Sequence, residues 1–144
     1  MALSRDHECP HATPRRVWRA QVKGGQVSGS ILVIEDDLAT AGLIRAVLEA
    51  EGYTVLHAVG AAGLALAHAA RPAVILLDVH MPGMDGPEVS RGLRADPATA
   101  DVPIVGMSAL AAPATAAEMH ANAWLAKPFS LEALLSTLAQ WAPA

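Results

Sequence analysis

Ala73-Val74-Ile75-Leu76-Leu77-Asp78-Val79-His80-Met81-Pro82-Gly83-Met84-Asp85-Gly86 is the stretch that decides the fold. The apolar run does not alternate with polar residues, so it reads as a strand buried on both faces, the kind found in parallel sheets. One carboxylate, Asp78, follows at the strand tip, and Pro82, Gly83 and Gly86 mark a turn-rich loop behind it. Upstream, Ile31-Leu32-Val33-Ile34 is a second such run, and it ends in Glu35-Asp36-Asp37. Two buried strands that each deliver acid to their C-terminal ends concentrate negative charge. Such a cluster needs a cation or a proton to be tolerable.

Outward from these runs the chain alternates strand and helix signals from Ser30 onward. Residues 38–51 place Leu43, Ile44, Val47 and Leu48 on one helical face, and Gly52 stops that helix. Strands are expected at 53–58, 73–77, 102–107 and 123–126, after the first at 31–34. Helices are expected at 61–70, ending before Arg71-Pro72, then at 87–94 with Pro87 in the first turn, at 113–120, and at 130–141 with Ser130 as N-cap. Five strands alternating with five helices imply an α/β fold with a doubly wound parallel sheet covered on both faces. In such sheets the working crevice lies outside the C-terminal ends of the strands. That rule gathers Glu35, Asp36, Asp78, Ser108 and Lys127 along one edge.

The bulk numbers agree with one globular domain. The chain has 144 residues, 53% apolar and 17% charged, with only 3% aromatic, so Ala, Val, Leu and Ile build the core. No apolar run approaches the ~20 residues that span a bilayer. The first residues lack the apolar segment of a signal peptide, and Cys9 has no second cysteine to pair with, so a cytoplasmic protein is expected. Residues 1–29 carry five basic and two acidic side chains, a balance of +3, whereas residues 30–144 carry five basic and twelve acidic, a balance of −7. The acidic body argues against nucleic-acid binding by the folded part. Pro10, Pro14, Gly24, Gly25 and Gly29 make residues 1–29 read as a flexible extension, with residues 30–144 as the domain. His7, Cys9 and His11 lack a fourth ligand at a structural-zinc spacing and read as part of that tail.

The five edge residues suit one chemistry. Asp36 and Asp78 offer hard oxygen ligands to a divalent cation, with Glu35 assisting, in the sparse carboxylate setting that Mg²⁺ prefers. Asp78 is then a candidate carboxylate nucleophile toward phosphorus. The cation and the Lys127 ammonium would neutralise the equatorial oxygens, and Ser108 would offer its hydroxyl to one of them. Asp37 reads more simply as a helix-start acid that favours the dipole. His57, His68 and His120 read as surface or satisfied residues, and Trp141 as packing.

Four motifs in this order carry a family resemblance: Ile31-Leu32-Val33-Ile34-Glu35-Asp36-Asp37, Leu77-Asp78-Val79-His80-Met81-Pro82-Gly83-Met84-Asp85-Gly86, Met107-Ser108-Ala109, and Lys127-Pro128-Phe129. The chain from Ile31 to Trp141 resembles the receiver domain of bacterial response regulators, the single-domain type found in chemotaxis. The resemblance implies a flavodoxin-like sheet with strand order 2-1-3-4-5. It implies that Asp78 is the phosphoacceptor, that Glu35, Asp36, Asp78 and the backbone carbonyl of His80 hold Mg²⁺ or Mn²⁺, and that Ser108, Ala109, Lys127 and Trp124 form the phosphoryl-binding and switch set. A cis bond commonly precedes the residue matched by Pro128. The implied partners are a sensor histidine kinase or a histidine phosphotransfer protein, together with a downstream protein of unknown identity. No DNA-binding module and no membrane are expected, so output would run through protein contact, a phosphorelay or a phosphate sink.

Three departures from the family pattern stand out. Ser108 and Lys127 are 19 positions apart, shorter than in the chemotaxis receiver, which bears on the usual output face. Met119-His120-Ala121-Asn122 stands where a glycine is common, and Asn122 tolerates a left-handed backbone better than His120. Trp124 is larger than the usual aromatic, so its switch needs a wider pocket, for which the short fourth helix is the expected source. Leu110, two positions after Ser108, should shield the phosphoryl group from water. An aspartate-nucleophile phosphatase would carry a second acid at the position of His80, and a flavodoxin-like nucleotide module would not place Glu35-Asp36-Asp37 where a phosphate must sit.

Overall fold

A computed structural model describes residues 29–109 and 119–141. Among these residues the elements run β1 (Ile31–Ile34), α1 (Leu38–Ala50), β2 (Val55–Ala58), α2 (Ala62–Ala70), β3 (Val74–Asp78), α3 (Gly86–Ala95), β4 (Ile104–Ser108), β5 (Ala123–Ala126) and α4 (Leu131–Trp141). All strand pairs are parallel and the order is β2-β1-β3-β4-β5, as the resemblance implied. The helix expected at 113–120 falls largely outside the described residues, as do Leu110 and all of the 1–29 extension except Gly29; Met119 and His120 lie in a turn.

The pleat divides the core. Ile31, Val33, Val74, Leu76, Val105 and Met107 turn to one face and pack with Ile44 and Leu48 of α1 and Leu134 and Leu138 of α4. Leu32, Ile34, Ile75, Leu77 and Ile104 turn to the other and meet Ala67 of α2 and Val89 and Leu93 of α3. Both faces are therefore dry, which is why the strands read as unbroken apolar runs. Each fully buried Leu or Ile contributes roughly 1.5–3 kcal/mol. No helix among the described residues is long and apolar enough to cross a membrane.

Several boundaries differ from the sequence expectation for local reasons. β2 starts at Val55, because the Tyr53 N–H is spent on the Leu48 carbonyl in closing α1, where Gly52 takes φ 97°. β4 starts at Ile104, because Pro103 has no N–H and the Val102 N–H turns back to Thr99. β3 runs through Asp78, which pairs with Met107, so the carboxylate belongs to the ladder itself. α3 starts at Gly86, capped by Asp85, whose side chain accepts from the Glu88 N–H while the Glu88 side chain accepts from the Asp85 N–H. At the turn before β5 the left-handed residue is His120, with φ 49°, and not Asn122. The reason is that the Asn122 side chain is needed elsewhere: its Oδ1 accepts from the Ile104 N–H at 2.9 Å and from Arg94 at 2.8 Å. Arg94 also donates to the His120 carbonyl and so holds that turn.

Candidate functional site

The C-terminal ends of β1, β3, β4 and β5 converge as the sheet rule requires. β1 delivers Glu35 and Asp36, and the Glu35 N–H still bonds the Ala58 carbonyl, so the acid pair leaves a fixed strand end. β3 delivers Asp78. Its successor Val79 donates to the Met107 carbonyl at 3.0 Å, and the Gly86 N–H returns to the Val79 carbonyl at 2.8 Å. A side chain at Gly86 would place its Cβ 2.7 Å from Val79 Cα and 2.8 Å from the Asp78 carbonyl oxygen, so only glycine lets α3 approach the strand tip this closely. β4 delivers Ser108, and the Ser108 carbonyl accepts from the Lys127 N–H at 2.7 Å, which fixes the lysine to the neighbouring strand. The Lys127–Pro128 peptide is cis.

The side chains meet in a small volume. One carboxylate oxygen from each of Glu35, Asp36 and Asp78 lies within 4.8 Å of the others. Glu35 is 1% exposed and Asp78 4%, whereas Asp36 is half-buried. The Lys127 ammonium donates to Glu35 Oε1 at 2.8 Å and to Asp78 Oδ1 at 3.2 Å. The Asp37 N–H donates to Glu35 Oε2 at 3.2 Å. Burial raises the Glu35 carboxyl above its ordinary value and the Asp78 charge adds to the rise, against the bonds from Lys127 and the Asp37 amide. Burial pulls the Lys127 ammonium down, but the bonds and charges of Glu35 and Asp78 outweigh it, and its net shift is upward. The lysine is thus held charged between two acids.

The remaining predicted residues lie around this centre. Ser108 is buried at the tip of β4 and Ala109 is exposed beside it. His80 is exposed on the loop after β3. The Trp124 ring packs against Gly106 of β4: a Cβ at Gly106 would be 2.6 Å from Trp124 Cζ3. Room for the large ring therefore comes from Gly106, whereas the segment expected to provide it lies outside the described residues. The Trp124 Nε1 is buried without a hydrogen-bond partner among the described residues. Asp37 is exposed at the start of α1 and bonds Thr40 at 2.5 Å, which lowers its carboxyl and agrees with a helix-start role. His68 is paired with Asp96 on the surface. Sequence reading marked Gly86 only as a turn residue and missed its close approach to the Asp78–Val79 backbone, as well as the approach of Trp124 to Gly106 and the contact of His57 with the Glu35 carbonyl, all of which depend on how the chain folds back on itself.

The donor set suits a hard cation, because it offers clustered carboxylate oxygens with no thiolate and no imidazole among them. Comparison with known proteins points the same way. The transcriptional regulator RpaA of Synechocystis is 39% identical over 110 residues; the match covers 74% of this chain but 46% of that protein, so the chain spans less than half of its relative's length. The Vibrio cholerae chemotaxis protein CheY4 superposes with a TM-score of 0.74 at 32% identity, over 78% of this chain and 97% of that one. The receiver domain of the Pseudomonas aeruginosa histidine kinase PA1611, solved with a magnesium ion in its active-site cleft, superposes with a TM-score of 0.71 at 30% identity, over 78% and 95%. Residues 31–139 match the family described as the response regulator receiver domain, and with that span holding the whole sheet and the acid cluster, the chain belongs to this family of two-component signalling proteins.

Proposed function

We propose that this chain is a phosphoacceptor, which takes a phosphoryl group onto Asp78 from a phosphohistidine of a sensor kinase or phosphotransfer protein. The observation that carries the reading is the contact of the Lys127 ammonium with both Asp78 and Glu35 inside a three-carboxylate cluster. Glu35, Asp36, Asp78 and the His80 carbonyl would hold Mg²⁺ or Mn²⁺, which supplies charge neutralisation for the transferring group. An Asp78 oxygen attacks phosphorus in line, the donor's N–P bond breaks, and its electron pair returns to the imidazole, which takes up a proton. Lys127 can release Asp78 to the phosphorus while its ammonium faces an equatorial oxygen. The Ser108 hydroxyl would donate to another, with small Ala109 leaving room, and Trp124 beside β4 would register the change. The receiver then catalyses its own phosphorylation and dephosphorylation.

Incubation with a small acyl phosphate donor tests this. Label should enter the wild type in Mg²⁺, and should be lost with chelator or in Asp78→Asn. Equal labelling of wild type and Asp78→Asn would sink the assignment. Turnover of a phosphomonoester without retained label would favour a phosphatase.

A further inference from the structure

His57 lies on β2, and the chemistry proposed above gives it no part. The β1–β2 register pairs Val33 with His57 and Ile34 with Ala58. Alternate residues of β1 face β2: the Ile31 N–H donates to the Thr54 carbonyl at 2.8 Å and the Glu35 N–H to the Ala58 carbonyl at 3.2 Å. In a parallel ladder the N–H and C=O of one residue point to the same neighbour, so the Glu35 carbonyl also faces β2. Its regular donor would be an amide two residues beyond Ala58. β2 ends at Ala58, however, and the chain turns away through Gly60 at φ 56°. In place of a backbone rung, His57 Nε2 lies 2.8 Å from the Glu35 carbonyl oxygen. A carbonyl only accepts, so Nε2 carries the hydrogen and donates.

This rung holds the peptide that joins the two acids. The Glu35 carboxylate is already held by Lys127 and by the Asp37 N–H, and its amide by Ala58. The carbonyl is the remaining polar group of Glu35, and it is the one whose rotation would swing Asp36 away from Asp78. The geometry points to His57 as a positioning residue for the cation site: its Nε2–H fixes the Glu35–Asp36 peptide so that Asp36 gathers with Glu35 and Asp78. His57 itself touches neither cation nor phosphoryl group. The inference rests on the phosphoacceptor reading.

The test is Mg²⁺ titration calorimetry on the full chain, comparing wild type, Asp36→Asn, His57→Val and His57→Gln, with thermal unfolding of each in chelator. Valine suits a strand but cannot donate, whereas glutamine carries an N–H at a similar reach. Partners that orient a metal's ligands typically carry 10–100-fold in affinity. His57 acts through the main chain, so His57→Val should lose roughly tenfold, at the low end of that range. His57→Gln should stay within about threefold of wild type. His57→Thr carries the same expectation as His57→Val, should the latter not fold. A lower melting point in chelator with Mg²⁺ affinity unchanged in the valine and threonine variants would show a merely structural role and overturn the inference, leaving the phosphoacceptor reading intact. Absence of Mg²⁺ binding by wild type, or binding indifferent to Asp36→Asn, would overturn the phosphoacceptor reading itself.

Discussion

Replacing Asp78 by asparagine should stabilise the cation-free protein, because the site is charged beyond what its lysine balances. One carboxylate oxygen from each of Glu35, Asp36 and Asp78 lies within 4.8 Å of the others, and at that outer limit and an effective dielectric near 20 each pair repels by about 3.5 kcal/mol. Lys127, 3.2 Å from Asp78, attracts it by about 5 kcal/mol on the same scale. Two repulsions against one attraction leave the Asp78 charge unfavourable by roughly 2 kcal/mol, and solvent at half-buried Asp36 and Lys127 reduces this to about 1 kcal/mol. Asp78→Asn keeps the shape and removes the charge, so Tm in chelator should rise by about 4 °C for a domain of this size. Added Mg²⁺ reverses the order: at ten times its Kd it stabilises the wild type by about 1.4 kcal/mol, and the variant by much less. Circular dichroism melts with chelator and with Mg²⁺ decide it. A lower Tm for Asp78→Asn in chelator, or an equal Mg²⁺ shift in both proteins, would refute the charge argument.

Burial holds the folded Glu35 carboxyl above its ordinary 4.5, so the folded protein binds that proton more readily than the unfolded chain, and the cost of its charge is absent below 4.5 and full above the raised folded value. In chelator, the stability advantage of Glu35→Gln over wild type should therefore shrink as pH falls toward 4.5; urea unfolding at stepped pH checks this, and a widening gap would contradict it. Gly86→Ala places a methyl against the Asp78–Val79 backbone, which cannot rotate aside; a loss of about 2 kcal/mol in urea unfolding is expected, with slower Asp78 labelling. Gly106→Val drives a methyl into the Trp124 ring; it should cost about 1–3 kcal/mol and shift Trp124 emission to the red, read in a Trp18→Phe, Trp141→Phe background. An unshifted spectrum would mean the ring does not rest on Gly106.

Much of this was legible in the sequence, for reasons particular residues make plain. Ile31–Ile34 and Ala123–Ala126 were readable to the residue, since acid and turn residues bound the first and Asn122 and Lys127 the second. Sequence starts β2 and β4 two residues too early, because Tyr53 and Val102 have strand-forming side chains while their amides serve a helix end and a turn, and it ends β4 one residue short of Ser108. The acids and Lys127 were legible because each follows an apolar strand, and the doubly wound rule brings such positions to one edge. The close approaches at Gly86 and Gly106 were not, because a glycine's neighbour is set by tertiary packing. Nor was the left-handed His120, whose conformation is held by Arg94 from α3. The His57 rung required knowing where β2 stops.

Reductive trapping tests the central claim most directly. Borohydride reduces an acyl phosphate to the alcohol with release of phosphate, and leaves free carboxylates and phosphohistidine unreduced. After incubation with donor and Mg²⁺, peptide mass mapping should find residue 78 converted to homoserine, with Glu35 and Asp36 intact. Label that survives borohydride on His80, or reduction at Asp36 in place of Asp78, would contradict the account.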